Sequence, residues 1–140
     1  MNQVPLLDAG PLVALLDRRD EHHRWALEQM SGLRPPFRTC EAVVAESFYL
    51  LRDLPEARKA ALEMITKGVI TIPFQLSEQS REVLTLIERY ANVPMSLADA
   101  CLVRMSELLS DCVVFTLDTD FAIYRRHRRQ KIPLLIPHEL

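Results

Sequence analysis

Glycines, cysteines and long hydrophobic runs are scarce in this sequence, and each shortage excludes a class of protein. The three glycines, at positions 10, 32 and 68, are too scattered for the G-x-G-x-x-G turn of a dinucleotide-binding fold. Three cysteines without a C-x-x-C pair indicate neither a disulfide framework nor a zinc site. No uncharged run approaches the roughly 20 residues of a membrane-spanning helix, and Asp8 interrupts any signal peptide. We therefore expect a cytoplasmic protein with reduced cysteines and no membrane segment.

The overall charge is also too small to define a function by itself. Hydrophobic residues make up 49% and charged residues 26% of the chain, as in ordinary globular proteins, and 140 residues correspond to one domain, residues 1–140. A net charge of −2 argues against binding to nucleic acid through bulk charge alone.

The charge is nevertheless unevenly distributed. Residues 125–131, RRHRRQK, carry five basic side chains and no acid, and without them the chain has 12 basic and 19 acidic residues, a net charge of −7. The run indicates phosphate contacts, a partner-binding surface or simply a solvated helix face. Its basic members are Arg125, Arg126, Arg128, Arg129 and Lys131.

Short apolar runs alternate with helical patterns along the chain. Strands are predicted at residues 4–7, 37–39, 69–72, 112–116 and 134–136. Helices are predicted to begin at Pro11, Glu41 and Pro55, and Asp20, Ser77 and Ser96 are the predicted caps of three further helices. Gly68 is predicted to end the helix that begins at Pro55, and a short helix is predicted at residues 121–126. This alternation predicts an α/β fold with a mainly parallel sheet and helices on both faces.

Two aspartates follow predicted strands at the point where open α/β sheets bind ligands. Asp8 comes after the first strand and Asp118 after the strand at 112–116. Each aspartate alone is readily explained as a turn former or helix cap. If the two strands are neighbours, both carboxylates converge on one crevice. A phosphatase of the haloacid dehalogenase type would require D-x-D, which Asp8-Ala9-Gly10 lacks.

Two further acids lie on predicted helices. Glu46 stands among apolar residues on a helix predicted to be buried, so it needs an arginine or a metal as partner unless it lies at the edge of the buried face. Asp99 follows Ser96 at the spacing of a capping box, and its place in the first turn also keeps a carboxylate ionised. Because clustered carboxylates repel one another, a hard divalent cation such as Mg²⁺ or Mn²⁺ would stabilise them.

Four segments, in this order, resemble motifs of the PIN-domain nucleases, especially the VapC-type toxins. They are LLDAGPLVALLDRRDEHHRW, TCEAVVAESFYLL, SLADACLV and VVFTLDTDF, and together they span nearly the whole chain. The resemblance implies a single PIN-like domain. It also implies that Asp8, Asp99 and Asp118 are metal ligands and that Glu46 is the helix acid of the catalytic set.

The resemblance leaves two points open and shows one departure. Asp120 competes with Asp118 as the fourth acid, although Thr116-Leu117-Asp118 fits the family pattern better, with Thr116 as an auxiliary hydroxyl. Glu46 and Asp118 either bind a second ion or orient water. Many relatives carry a serine or threonine where this chain has Gly10, so that hydroxyl is absent.

By this resemblance the protein is a Mg²⁺- or Mn²⁺-dependent endoribonuclease, the toxin of a type II toxin–antitoxin pair, with RNA as substrate. A homodimer and a cognate antitoxin are the expected protein partners. Two alternatives stay open: a housekeeping RNA-processing PIN nuclease, and a non-catalytic acidic α/β interaction module whose carboxylates are only caps and solvated pairs.

Overall fold

The computed structural model describes residues 3–140, which form seven strands, six α-helices and one short 3-10 helix. The strands are β1 (Val4–Leu7), β2 (Phe37–Arg38), β3 (Ile70–Thr71), β4 (Cys112–Phe115), β5 (Arg125–Arg126), β6 (Gln130–Lys131) and β7 (Leu134–Leu135). The helices are α1 (Ala9–Leu16), α2 (His23–Gly32), α3 (Glu41–Leu50), α4 (Pro55–Thr66), α5 (Leu76–Arg89), α6 (Leu97–Leu108) and the 3-10 helix Thr119–Ala122.

Five strands form a parallel sheet in the order β3-β2-β1-β4-β7. The two strands predicted to precede aspartates are neighbours: β1 pairs with β4 from Val4 opposite Cys112 to Leu7 opposite Phe115. The pairing continues past the strand ends, because the Asp8 amide donates to the Phe115 carbonyl over 3.0 Å. Asp8 therefore emerges at the carboxyl edge of the sheet beside Thr116.

Helices cover both faces of this sheet, as predicted. Successive strand residues point to opposite faces. Leu6 and Val114 accordingly pack in a cluster with residues of α3, α5 and α6. Leu7 and Phe115 pack in a second cluster, against residues of α1, α2 and α4. The predicted α/β fold with a parallel sheet is confirmed.

The predicted helix ends are confirmed in part. Ser96 caps α6, accepting a hydrogen bond from the Asp99 amide over 3.0 Å. Gly68, just beyond α4, has a φ of 79°, the left-handed conformation that glycine tolerates best. The prediction that Ser77 caps α5 is wrong: the helix begins one residue earlier, at Leu76, so Ser77 lies inside it.

The predicted starts of α1, at Pro11, and of α2, at Glu21, are each wrong by two residues. Asp8 itself caps α1, which places Pro11 third in the helix rather than first. Helix α2 begins at His23, and Asp20 instead closes a turn by accepting from the His22 amide over 2.9 Å.

Two larger predictions are wrong. Helix α3 is not buried all round: Val43 and Ser47 are buried, whereas Ala45, Tyr49 and Leu50 are exposed. The predicted helix at residues 121–126 is instead the 3-10 helix followed by an antiparallel hairpin, β5–β6. Within residues 3–140, no helix has both the length and the apolar character needed to cross a bilayer.

Candidate active site

The four acids singled out in the sequence line one cleft at the carboxyl edge of the sheet. The cleft has a volume of about 350 Å³. Its lining residues are Asp8, Gly10, Glu46, Leu50, Pro94, Ser96, Asp99, Leu117 and Asp118. They come from the end of β1, the loop after β4, and helices α1, α3 and α6, so the fold joins segments that are far apart in sequence.

Asp8 is the most deeply buried acid of the cleft, with 5% of its surface exposed. One carboxylate oxygen accepts from the Ala9 amide over 2.8 Å, and the other accepts from the Thr116 hydroxyl over 2.6 Å. Burial raises the pKa of Asp8 from 3.8 to about 7, opposed by these two hydrogen bonds and assisted by the charges of Asp99 and Glu46. The position is therefore costly for an unpartnered carboxylate.

Thr116 connects Asp8 to Asp118. While its hydroxyl donates to Asp8, the same oxygen accepts from the Asp118 amide over 2.9 Å. Asp118 in turn caps the 3-10 helix by accepting from the Asp120 amide over 2.9 Å, so Asp118 is both a cap and a member of the cleft. Asp118 lines the cleft, whereas Asp120 does not.

Asp99 is the second buried acid, with 7% of its surface exposed. Its amide completes the Ser96 cap, and its carboxylate accepts a hydrogen bond from the Tyr124 hydroxyl over 2.9 Å. Burial raises the pKa of Asp99, and the charge of Asp118 adds to this, whereas the hydrogen bonds from Tyr124 and Ser96 act in the opposite direction. Asp99 therefore contributes its amide to the helix cap and also lines the cleft.

Glu46 enters the cleft from α3 and is exposed. Partial burial raises its pKa, and the charges of Asp99 and Asp118 raise it further. The arginine proposed as one partner for Glu46 is absent: within the described residues 3–140, no lysine, arginine or histidine forms an ion pair with any of the four acids. Their mutual repulsion is not offset by a protein cation.

The donor set suits a hard divalent cation, although its side chains alone do not form a complete coordination sphere. In the described chain, no three histidine, cysteine, aspartate or glutamate side chains are gathered tightly enough to hold a metal by themselves. Mg²⁺ does not require such a cage, because it commonly keeps several waters and takes only one or two carboxylates. Two buried carboxylates beside an open cleft therefore fit Mg²⁺ or Mn²⁺, with water completing the coordination.

Position 10 is tightly packed against Leu117. A Cβ atom added to Gly10 would lie 3.1 Å from the Cβ of Leu117 and 3.3 Å from two further atoms of that side chain. A serine or threonine at position 10 would therefore require Leu117 to shift by a few tenths of an ångström.

The basic run divides into structural and free side chains. Arg125 donates to the carbonyls of Ala122, Ile123 and Tyr124. Arg126 donates to the carbonyls of Ser106 and Ser110, near the end of α6. Three other cations lie on the exposed hairpin: Arg128, Arg129 and Lys131. The His127 amide donates to Glu107, which places the hairpin turn near the end of α6, away from Asp99 in its first turn.

Comparison with known proteins identifies the class. Residues 6–126 match the PIN domain, and the chain belongs to the PIN-domain family. Among solved structures, it is similar to the Mycobacterium tuberculosis toxin VapC20, described as cleaving the sarcin–ricin loop. The TM-score is 0.77 at 18% sequence identity, over 85% of this chain and 93% of the toxin chain. A search of curated protein sequences found no match.

One residue of the site was missed by the sequence analysis. Tyr124 is fully buried and donates to Asp99, yet it was assigned only to a short helix. Its signal in the sequence is weak, because a single tyrosine next to a basic run has no distinctive spacing. Its contact with Asp99 depends on how the segment after β4 crosses α6.

Proposed function

We propose that this protein is a Mg²⁺- or Mn²⁺-dependent endoribonuclease that acts in the cytoplasm as the toxin of a toxin–antitoxin pair. The observation that carries the proposal is the cleft of four carboxylates without a basic partner, in a chain of the PIN-domain family. The structural similarity to VapC20, which is described as a toxin that cleaves the sarcin–ricin loop, supports the proposal of a nuclease toxin.

In this proposal Asp8, Asp99 and Asp118 hold the metal. The bound ion supplies Lewis-acid activation of water and stabilises the charge that develops on the phosphate. The Ala9 amide and the Thr116 hydroxyl donate to the Asp8 carboxylate, and the Tyr124 hydroxyl donates to the Asp99 carboxylate. Ser96 fixes the Asp99 backbone by accepting from its amide. The hydrogen bonds to the carboxylates orient them before substrate arrives, which reduces the reorganisation required during the reaction.

Glu46 is assigned the role of proton acceptor for the attacking water. It is the exposed acid of the cleft, so a water molecule can reach it beside a bound phosphodiester. Its raised pKa makes it a better base than an ordinary glutamate. Asp120 stays an auxiliary candidate, linked to the cleft through its amide contact with Asp118.

The test of this function is cleavage of a single-stranded RNA with metal removed and then restored. We expect no cleavage in a chelator, recovery with Mg²⁺ or Mn²⁺, and no phosphatase activity on a small phosphate monoester. Cleavage that persists without metal would contradict the mechanism. Absence of both cleavage and metal binding would favour the acidic interaction module.

The free cations of the hairpin should contribute to RNA affinity rather than to chemistry. Glu107 lies eight positions after Asp99 in α6, a rise of about 12 Å along the helix. Contacts made that far from the reacting phosphate strengthen binding to the substrate and to the transition state equally. Replacing Arg128, Arg129 and Lys131 with glutamine should therefore raise KM several-fold and leave kcat unchanged.

The salt dependence of RNA binding provides the corresponding measurement. Removing one phosphate-binding cation should reduce the slope of log affinity against log salt by about 0.7 for a single strand. A Lys59→Gln/Lys67→Gln variant is the matched control, because both lysines are exposed and neither lines the cleft. If the salt slope is the same in the hairpin variant and the parent, the hairpin does not bind RNA. Weakened antitoxin binding alone would reassign it to that partner.

We also propose dimer formation and antitoxin binding, because the chain is a member of the PIN-domain family. In the toxin role, an antitoxin segment would cover the acidic cleft and exclude RNA. The antitoxin and the homodimer can be tested together by measuring molar mass in solution with and without the candidate antitoxin.

A further inference from the structure

Tyr124 occupies an unusual position, because its ring is fully buried while its hydroxyl reaches an acid of the cleft. The hydroxyl donates to one carboxylate oxygen of Asp99 over 2.9 Å. A buried tyrosine hydroxyl requires a partner, and a charged acceptor makes the stronger hydrogen bond. Tyr124 belongs to the segment after β4, so this contact joins two separate elements at the cleft.

The tyrosine ring is fixed by its surroundings. It packs edge to face against Phe121, with centroids 5.3 Å apart, and against Tyr90 at 5.1 Å. The Tyr90 hydroxyl accepts from the Arg125 amide over 2.8 Å, and the Arg125 guanidinium donates to the Tyr124 carbonyl over 3.0 Å. With both ring and backbone held, the Tyr124 hydroxyl has little freedom to leave Asp99.

We propose that Tyr124 is a positioning residue that fixes the Asp99 carboxylate for binding of the divalent cation. This inference rests on the proposed function, in which Asp99 is a metal ligand. Ser96 fixes the backbone of Asp99 by accepting from its amide, and Tyr124 donates to the Asp99 carboxylate from a different element. The Tyr124 hydrogen bond restricts rotation of that carboxylate. Partners of this kind orient a ligand without touching the metal, and their removal commonly weakens metal affinity 10- to 100-fold.

The test compares Tyr124→Phe with Tyr49→Phe by calorimetric titration with Mn²⁺. Both changes remove one hydroxyl and keep an aromatic ring, but only Tyr124 contacts Asp99, whereas Tyr49 is exposed and does not line the cleft. We expect Tyr124→Phe to weaken Mn²⁺ binding about 10- to 100-fold and Tyr49→Phe to leave it within about twofold. Thermal melts without metal should show that both variants fold, because the ring contacts remain.

Kinetics against metal concentration provide a second readout. With saturating Mn²⁺, Tyr124→Phe should recover most of the parent kcat, whereas at low Mn²⁺ it should be the slower enzyme. Equal Mn²⁺ affinity in Tyr124→Phe and the parent would overturn the positioning role alone. If the parent binds no Mn²⁺ either, both this inference and the proposed function fail, so the two failures are distinguishable.

Discussion

Replacing Asp8 or Asp99 with asparagine should abolish metal-dependent RNA cleavage and leave the protein folded. Removal of partners that only orient a ligand already costs about 10- to 100-fold in affinity or activity, so removal of a direct ligand should cost more than about 100-fold. The assay compares kcat/KM for one RNA at saturating Mg²⁺ in the parent and in each variant.

The folded state should tolerate both replacements because each removes one charge from a cluster that no protein cation offsets. Without metal, the free energy of unfolding should stay level or rise. A structural ion pair would behave in the opposite way, because removing one member leaves a buried charge unpaired. In Asp8→Asn the retained amide oxygen can still accept from the Ala9 amide, so the cap of α1 should persist.

Asp111→Asn is the matched control for these variants. Asp111 directly precedes β4, at the opposite end of the strand from the cleft, and it is exposed. We expect it to retain full activity and the full response to metal. Added Mg²⁺ should stabilise the parent and Asp111→Asn more than the two cleft variants, since only binding to the folded state raises apparent stability. Full activity in Asp99→Asn would leave the capping box as the whole explanation of that residue.

The location of the acids was predictable because it follows from local rules. An acid directly after a strand of a parallel sheet lies at the carboxyl edge, and Ser96 with Asp99 marks a helix start. Asp8 and Asp118 come together only if β1 and β4 are neighbours. The sequence left that pairing open, and the structure shows it. The catalytic roles of these acids are still predictions that the variants above test.

The features that the sequence did not predict depend on tertiary contacts. The polar run at 125–131 has no periodicity that distinguishes a helix from a hairpin. It becomes a hairpin where Arg126 and His127 hydrogen bond to residues at or just beyond the end of α6. Likewise, α3 is apolar on nearly every side, so its pattern could not show which face would be covered. Its exposed side carries Glu46 at the cleft and Tyr49 away from the core.

The pH dependence of stability without metal should reveal the free-energy cost of burying the Asp8 carboxylate. Its pKa is about 7 in the folded protein and 3.8 ordinarily, so between these values the folded state holds more protons than the unfolded state. Stability therefore falls as pH rises from about 4 to about 7 and is level above that range. The difference between these two pKa values corresponds to about 4 kcal/mol of stability.

Comparing the parent with Asp8→Asn isolates this contribution from that of every other titrating group. The free energy of unfolding of the parent minus that of the variant should decrease as pH rises from about 4 to about 7. Chemical denaturation at several pH values in a chelator measures this difference.

Adding Mg²⁺ should change the result, because the cation binds the ionised carboxylate and competes with its proton. The stabilisation of the parent by Mg²⁺ should therefore be larger at pH 8 than at pH 5.5. Parallel curves for parent and variant, together with a metal effect independent of pH, would show that Asp8 carries no buried charge for a cation to neutralise.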